Sequence, residues 1–297
     1  MYDVIIIGAG PAGLNAALTL GRVRRRTLLL DAGPGRNAVS GAVHNLLSRD
    51  GIPPAELRTT ALEQLARYPD VEVRQARAVH AREGFMVSLD DGARAEAARL
   101  VLATGVRDEL PAIPGLAERW GNGVVHCPYC QGWERQGQRI AVLDVGGWGV
   151  HQAVHLARLS SDVVLCTNGG EISDTQRAML ADRGVQIRED TVDRLEGKGT
   201  ALARVVFKDA GYLERDALFV HPATRQGSDL AERLGCRLLE DGSVEVDDFG
   251  QTSTPGVYAA GDMARRPAMP FAGAQVVLGA AAGVVTAVTI DQELLYA

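Results

Sequence analysis

Residues 2–13 read YDVIIIGAGPAG, and this stretch decides the fold of the chain. Residues 2–7 are a largely apolar run, which is typical of a buried parallel strand. The pattern Gly-x-Gly-x-x-Gly follows at once, then a helical stretch over residues 14–22 and a second strand that leads into Asp31. Strand, glycine turn, helix, strand and acid in this order predict a nucleotide-binding βαβ unit.

The residues of this unit have separate roles. Gly8 permits the tight turn, Gly10 lets the backbone approach a pyrophosphate, and Gly13 allows the helix to pack closely on the strand. A pyrophosphate would bind where the helix begins, because unpaired N–H groups and the helix dipole favour anions there. Asp31 follows at the separation, roughly 20 residues, at which an acid holds a ribose hydroxyl.

The composition is that of an ordinary globular protein with room for two domains: 297 residues, 46% of them hydrophobic and 23% charged. A net charge of -6 leaves no basic surface for nucleic acid. The sequence shows no charged-then-apolar leader and no apolar run as long as a membrane span. Four cysteines are too few for a secreted disulfide framework. We therefore expect a cytoplasmic protein that binds neither nucleic acid nor membrane.

Cys127 and Cys130 form a Cys-Pro-Tyr-Cys motif, a pair of thiols that can close into a disulfide and carry electrons. A zinc site would need a second pair or histidines at metal spacing, whereas Cys166 and Cys236 stand alone, so no metal is expected. Glutaredoxins carry the same motif near the N-terminus of a small domain, but here it lies far along the chain. We predict a redox-active disulfide, with two buried reduced cysteines as the alternative.

A second nucleotide-type unit follows the cysteine pair, with a strand over residues 140–143, a helix over 150–159 and a strand over 162–165. Its turn reads DVGGWG, so Asp144 stands where the first glycine should be and Trp148 adds bulk. A carboxylate there would repel a pyrophosphate. The loop after the second strand, CTNG, offers no basic residue for a 2′-phosphate. NADPH is therefore not expected to bind in the usual manner.

The C-terminal part returns to the first nucleotide fold. Residues 254–262 read TPGVYAAGD, a strand that ends in Gly261 and Asp262, and LVLATG at residues 100–105 is another strand entering a glycine turn. We predict an α/β fold with two Rossmann-like three-layer nucleotide-binding domains, the first discontinuous. The first would comprise residues 1–113 and 246–297, and the inserted domain, residues 114–245, would carry the cysteine pair.

Taken in order along the whole chain, these segments resemble the low-molecular-weight thioredoxin reductases, which are FAD-dependent pyridine nucleotide-disulfide oxidoreductases. With its degenerate NADPH site the chain is nearer to those relatives that oxidise dithiols, such as those forming the disulfides of gliotoxin and holomycin. The resemblance implies FAD as cofactor, Asp262 on its ribityl and pyrophosphate region, and a homodimer. The expected FAD-binding residues are Gly8, Gly10, Pro11, Ala12, Gly13, Asp31, Asn45, Ala103, Thr104, Gly105, Gly261, Asp262, Gln275 and Val276.

The resemblance also implies roles for the two cysteines. Cys130 would lie nearest the flavin, and Cys127 would exchange with the substrate. Thioredoxin reductases carry an Asp directly after the second cysteine for proton transfer, but Gln131 stands here, and an amide cannot act as acid or base. His126 is our candidate for the proton step, with Glu134 and His44 as alternatives.

The expected function is that of an FAD-dependent thiol–disulfide oxidoreductase. It would move two electrons between the flavin, the Cys127–Cys130 disulfide and a small dithiol or disulfide, or a thioredoxin-like protein, without NADPH as the driving reductant. An NADPH-dependent thioredoxin reductase is the alternative. A non-enzymatic flavin redox sensor, which would turn over no dithiol, is the third hypothesis.

Overall fold

The computed structural model describes residues 1–82, 84–270 and 273–296. In chain order, its strands are β1 (Tyr2–Ile7), β2 (Thr27–Asp31), β3 (Val71–Gln75), β4 (Ala78–Arg82), β5 (Met86–Leu89), β6 (Arg94–Leu102), β7 (Val106–Glu109), β8 (Val124–Val125), β9 (Ile140–Leu143), β10 (Val163–Cys166), β11 (Gln186–Arg188), β12 (Val192–Glu196), β13 (Arg204–Phe207), β14 (Tyr212–Glu214), β15 (Ala217–Val220), β16 (Ala223–Gln226), β17 (Val244–Glu245), β18 (Val257–Ala259) and β19 (Ala264–Arg265). The α-helices are α1 (Pro11–Arg22), α2 (Pro54–Leu65), α3 (Pro128–Gln131), α4 (Gly149–Leu156), α5 (Asp174–Asp182), α6 (Leu230–Arg233) and α7 (Val276–Leu295).

The chain divides into two compact units. The first unit comprises Met1–Ala38, Ile52–Arg107 and Arg225–Ala297, and the second comprises Val39–Gly51 and Asp108–Thr224. Each unit has a parallel sheet with its own core on both faces. The predicted α/β class, with two Rossmann-like nucleotide-binding folds, is confirmed.

The sheet of the first unit has the order β3-β2-β1-β6-β5-β4, with β18 also paired to β6. Strands β1, β2, β3, β6 and β18 run parallel, whereas β4 and β5 form an antiparallel extension. One face packs against Ala16, Ala17 and Leu20 of α1 and against Ala287 and Ile290 of α7. Since both faces are covered, the fully buried β2 is apolar over residues 28–30, between Thr27 and its final acid Asp31.

Helix α7 packs closely on α1. A Cβ added to Gly283 would lie 2.1 Å from the carbonyl oxygen of Ala12, so this glycine allows the two helices to approach. By length and composition alone α7 could cross a membrane, and it is the one helix of the described residues that could. A single such helix is weak evidence, because core helices of soluble proteins have the same properties.

The second unit contains a parallel sheet of order β11-β10-β9-β15-β8. Helices α4 and α5 pack on one face, through Val150, Ala153 and Leu156 of the first and Leu180 of the second. The other face packs against the antiparallel sheet β12-β13-β14, which contributes Val205 to the core. This unit is therefore a second three-layer sandwich.

The second crossing, where the chain returns from the inserted unit to the first unit, differs from the predicted one. The prediction placed residues 225–245 in the inserted domain, whereas the structure places them in the first unit. Leu230, Ala231 and Val244 are buried in the first unit's core. Residues 39–51 and 108–113, predicted in the first domain, also differ, because the structure places them in the second unit.

Candidate active site: a nucleotide cradle and a redox disulfide

Backbone packing at the N-terminal turn requires glycine at two positions. Gly8 has a φ of +115°, and a Cβ there would lie 2.2 Å from the carbonyl oxygen of Ala103. A Cβ on Gly13 would lie 1.9 Å from the carbonyl oxygen of Gly8. The turn is thus pressed against the end of β6 on one side and against the first turn of α1 on the other.

Gly10 is different, because it faces open space. Its φ of −79° suits any residue, and no described atom lies within 4 Å of the Cβ that alanine would carry. Gly10 is also the N-cap of α1, and no hydrogen bond from a side chain caps the helix in the described structure. An uncapped helix N-terminus beside open space fits the pyrophosphate of a dinucleotide.

Several residues expected to bind the cofactor converge on the start of α1. Gly261 has a φ of +83° and lies against Ala12. A Cβ added to Gly261 would lie 3.1 Å from the Cβ of Ala12. Gln275 is the N-cap of α7, and Val276 is its first residue. One turn later, a Cβ added to Gly279 would lie 3.8 Å from the backbone nitrogen of Ala12.

The segment after β6 contains three more of the expected residues, Ala103, Thr104 and Gly105. The backbone N–H and the hydroxyl of Thr104 lie 3.3 and 3.4 Å from the Met263 sulfur. The chain then turns at Gly105, which has a φ of +61°.

Both acids expected to hold the cofactor are paired with arginines. Asp262 lies 3.1 Å from Arg36. The side chain of Asp31 is 3% exposed and forms an ion pair with Arg58. Neither arginine was recognised from the sequence, because no local motif links it to its acid. Asn45 lies in the segment 39–51 of the second unit, so its place beside the cofactor stays a prediction.

In the second unit, Cys127 and Cys130 form a disulfide. Cys127 follows β8 closely and is the N-cap of α3, where its sulfur accepts a hydrogen bond from the Cys130 N–H at 3.1 Å. Tyr129, between the cysteines, and Trp133, just after them, are 65% and 70% exposed. The disulfide thus lies at the start of a short helix, with the exposed Tyr129 ring on that helix and the exposed Trp133 ring just after it.

The other two cysteines are buried and free. Burial raises the pKa of the Cys166 thiol to about 12, so this thiol stays protonated and unreactive at neutral pH. We expect a thiol reagent to label two cysteines after mild reduction of the native protein and four after denaturation. Mass spectrometry of the labelled peptides checks this. Labelling of Cys166 in the native protein would contradict the assignment.

The candidate proton-transfer groups differ in the residues that they contact. Gln131 donates from its amide to the carbonyl oxygen of Gly121 at 3.2 Å, which is a structural role. The ring of His126 lies against Trp120, with the ring centres 5.7 Å apart. His44 lies between two acids, with one ring nitrogen 3.5 Å from Asp50 and the other 3.5 Å from Glu134. The structure therefore brings together His44 and Glu134, which are far apart in the sequence. Glu134 lies four residues after Cys130.

In the turn of the second nucleotide-type unit, the Asp144 side chain caps the helix that follows. Asp144 Oδ1 accepts a hydrogen bond from the Gly149 N–H, the first residue of α4, at 2.8 Å. The carboxylate thus occupies a helix N-terminus where a dinucleotide would place its pyrophosphate. Arg177, the first basic residue after the CTNG loop, pairs with Glu189 at 2.6 Å.

A nucleotide cradle on one Rossmann-like unit and a redox disulfide on another define a nucleotide-dependent disulfide oxidoreductase. The chain matches the family described as pyridine nucleotide-disulphide oxidoreductase over residues 2–281, and it belongs to that family. It is an enzyme of this family, with FAD as its cofactor. The open cradle at Gly10 fits that cofactor. Across the described residues, no group of three or more His, Cys, Asp or Glu is placed to hold a metal ion.

The known relatives are similar along nearly the whole chain. The "Thioredoxin reductase tcpT" of Claviceps purpurea is 36% identical over 280 residues, which cover 88% of this chain and 86% of the relative. The putative thioredoxin reductase TrxB of Bacillus anthracis has a TM-score of 0.92 at 32% identity and covers 99% of both chains. An oxidoreductase of Agrobacterium tumefaciens has a TM-score of 0.92 at 37% identity, again covering 99% of both.

Proposed function

We propose that this protein moves two electrons between an external dithiol and its flavin through the Cys127–Cys130 disulfide, and that NADPH is not its reductant. The first part is supported by the family and by the disulfide at the start of α3. The second part is carried by one observation, the Asp144 carboxylate on the N-terminus of α4. A pyrophosphate would have to displace this internal cap and face its negative charge.

The exchange chemistry balances with oxygen as the final acceptor. A substrate thiolate attacks the sulfur of Cys127, the Cys127–Cys130 bond breaks, and a mixed disulfide forms. The second substrate thiol attacks that mixed disulfide, which releases the oxidised substrate and leaves both cysteines reduced. FAD, when bound, would supply the acceptor for the two electrons that the cysteines give up as the Cys127–Cys130 disulfide re-forms. Oxygen takes them with two protons and becomes hydrogen peroxide.

The protons that the two substrate thiols give up need an acceptor, and Gln131 cannot provide one. We propose the His44–Glu134 pair for this role, because the two side chains lie 3.5 Å apart and Glu134 comes soon after the end of α3 in the sequence. His126, the candidate from the sequence, remains the alternative. Its ring is in contact with Trp120, and its carbonyl oxygen accepts from Gln152 at 2.6 Å.

The exposed rings of Tyr129 and Trp133 favour a dithiol substrate with an apolar or aromatic surface. A thioredoxin-like protein, the class of substrate that the relatives' names indicate, is the alternative partner. We also propose a cytoplasmic homodimer. An apolar stripe on α7 supports the dimer, since five of its residues share one exposed face: Val277, Leu278, Val284, Val285 and Val288.

Steady-state turnover tests the proposal. The purified flavoprotein is given dithiothreitol in air without nicotinamide, and oxygen consumption is recorded. We expect consumption well above that of free FAD at equal concentration. In parallel, NADPH is offered with a disulfide dye and is expected to give no turnover. Rapid NADPH-dependent reduction of the dye would favour the thioredoxin reductase alternative, and no turnover with either reductant would favour the redox sensor.

A further inference from the structure

Arg58 joins two parts of the nucleotide cradle. It lies on α2 (Pro54–Leu65), outside the βαβ unit that carries the glycine pattern. One terminal nitrogen of its guanidinium donates to the carbonyl oxygen of Ala9 at 2.6 Å, and the other forms the ion pair with Asp31. Ala9 lies inside the glycine turn and Asp31 ends β2, so a single side chain spans the two elements that would contact the nucleotide.

The burial of Asp31 makes this contact important. A carboxylate that is 3% exposed is costly unless it is paired and hydrogen-bonded. One of its oxygens accepts from the Gly33 N–H at 2.9 Å, and the other pairs with Arg58. These two partners hold the carboxylate in one orientation. Without Arg58, the buried charge would lose its cationic partner.

The planar guanidinium suits this double contact. Its nitrogens form a rigid fork that can reach a carbonyl and a carboxylate at once, whereas the ammonium of lysine is a single point charge. Lysine at this position could therefore pair with Asp31 or reach Ala9, but it would not hold both in the same geometry.

We propose that Arg58 is a positioning residue for the adenosine half of FAD. It orients Asp31 toward the ribose and ties the glycine turn to the end of β2, so that the cradle is formed before the cofactor binds. This inference depends on FAD in this cradle and not on the proposed electron donor, so it survives if the protein proves to use NADPH.

The test is FAD binding to the apoprotein, measured by the quenching of flavin fluorescence. We expect Arg58→Ala to raise the dissociation constant about 10- to 100-fold, as the loss of hydrogen bonds to a charged group implies. The dissociation constant of Arg58→Lys should lie between those of Arg58→Ala and the wild type. The matched control is Arg74→Ala, which removes an exposed pair with Glu72 in the same unit and should leave FAD affinity unchanged.

A second measurement separates positioning from simple destabilisation. In the background of Asp31→Asn, the substitution Arg58→Ala should cost much less FAD affinity than it does in the wild type, because the two residues act as one unit. Equal losses in both backgrounds would overturn the proposal. So would an Arg58→Ala variant that binds FAD as tightly as Arg74→Ala does. A wild-type protein that binds FAD but turns over no dithiol would count against the proposed function and leave this inference standing.

Discussion

Replacing either member of the cysteine pair with serine is expected to lower dithiol-dependent turnover at least about a thousandfold, because the relay loses a sulfur that must form and break covalent bonds. Serine keeps the size of the side chain but cannot form a disulfide. The variants Cys127→Ser and Cys130→Ser should still fold and bind FAD, since the cradle lies in the other unit. Oxygen consumption with dithiothreitol and the flavin absorbance of each purified variant are the measurements.

The matched control for this prediction is Cys236→Ala. Cys236 is buried in the first unit and its thiol is free, so the change removes a cysteine without touching the relay. Its turnover should stay within about twofold of the wild type, at some cost in stability from the small cavity. Turnover of Cys130→Ser close to the wild-type rate would show that electrons reach the flavin by another route.

The second large effect concerns the cofactor and separates two glycines of one motif. Gly10→Ala is expected to fold like the wild type, because its backbone angle is ordinary and its new methyl group enters open space. That space is where the backbone must approach a pyrophosphate, so FAD affinity should fall about 100-fold or more. Thermal unfolding of the apoprotein and FAD titration by fluorescence measure the two properties separately.

Gly13→Ala is the contrasting variant. Its methyl group would lie 1.9 Å from the Gly8 carbonyl oxygen, so the backbone of the turn must move. We expect a loss of about 3 kcal/mol or more in the free energy of unfolding, in addition to lost flavin. If Gly10→Ala instead bound FAD as tightly as the wild type, the cradle would not be where the pyrophosphate lies.

Features carried by neighbouring residues could be predicted from the sequence. The glycine turn, its strand and its terminal acid lie within one short stretch, and backbone packing requires glycine at Gly8 and Gly13. The cysteine pair is equally local, and the structure closes it into the expected disulfide. The substitution of Asp144 for glycine signalled the altered second turn, although its hydrogen bond to Gly149 required the structure.

Contacts between distant residues could not be predicted. Arg58 and Asp31 lie on different elements, and nothing near α2 indicates a partner for that guanidinium. His44 and Glu134 are separated in the sequence by the whole segment Ile52–Arg107 and come together only in the fold. The second crossing was misplaced because the buried part of α6 is a short pair, Leu230 and Ala231, whose apolar pattern is too brief to assign to a core.

One measurement tests the central claim most directly, which is that a dithiol reduces the flavin through Cys127–Cys130 and NADPH does not. The purified protein is titrated without air, in separate cuvettes, with dithiothreitol, NADPH and NADH, and the flavin absorbance is followed. We predict that dithiothreitol bleaches the flavin, and that neither nicotinamide does so over the same time. Bleaching by NADPH with no response to the dithiol would contradict the account.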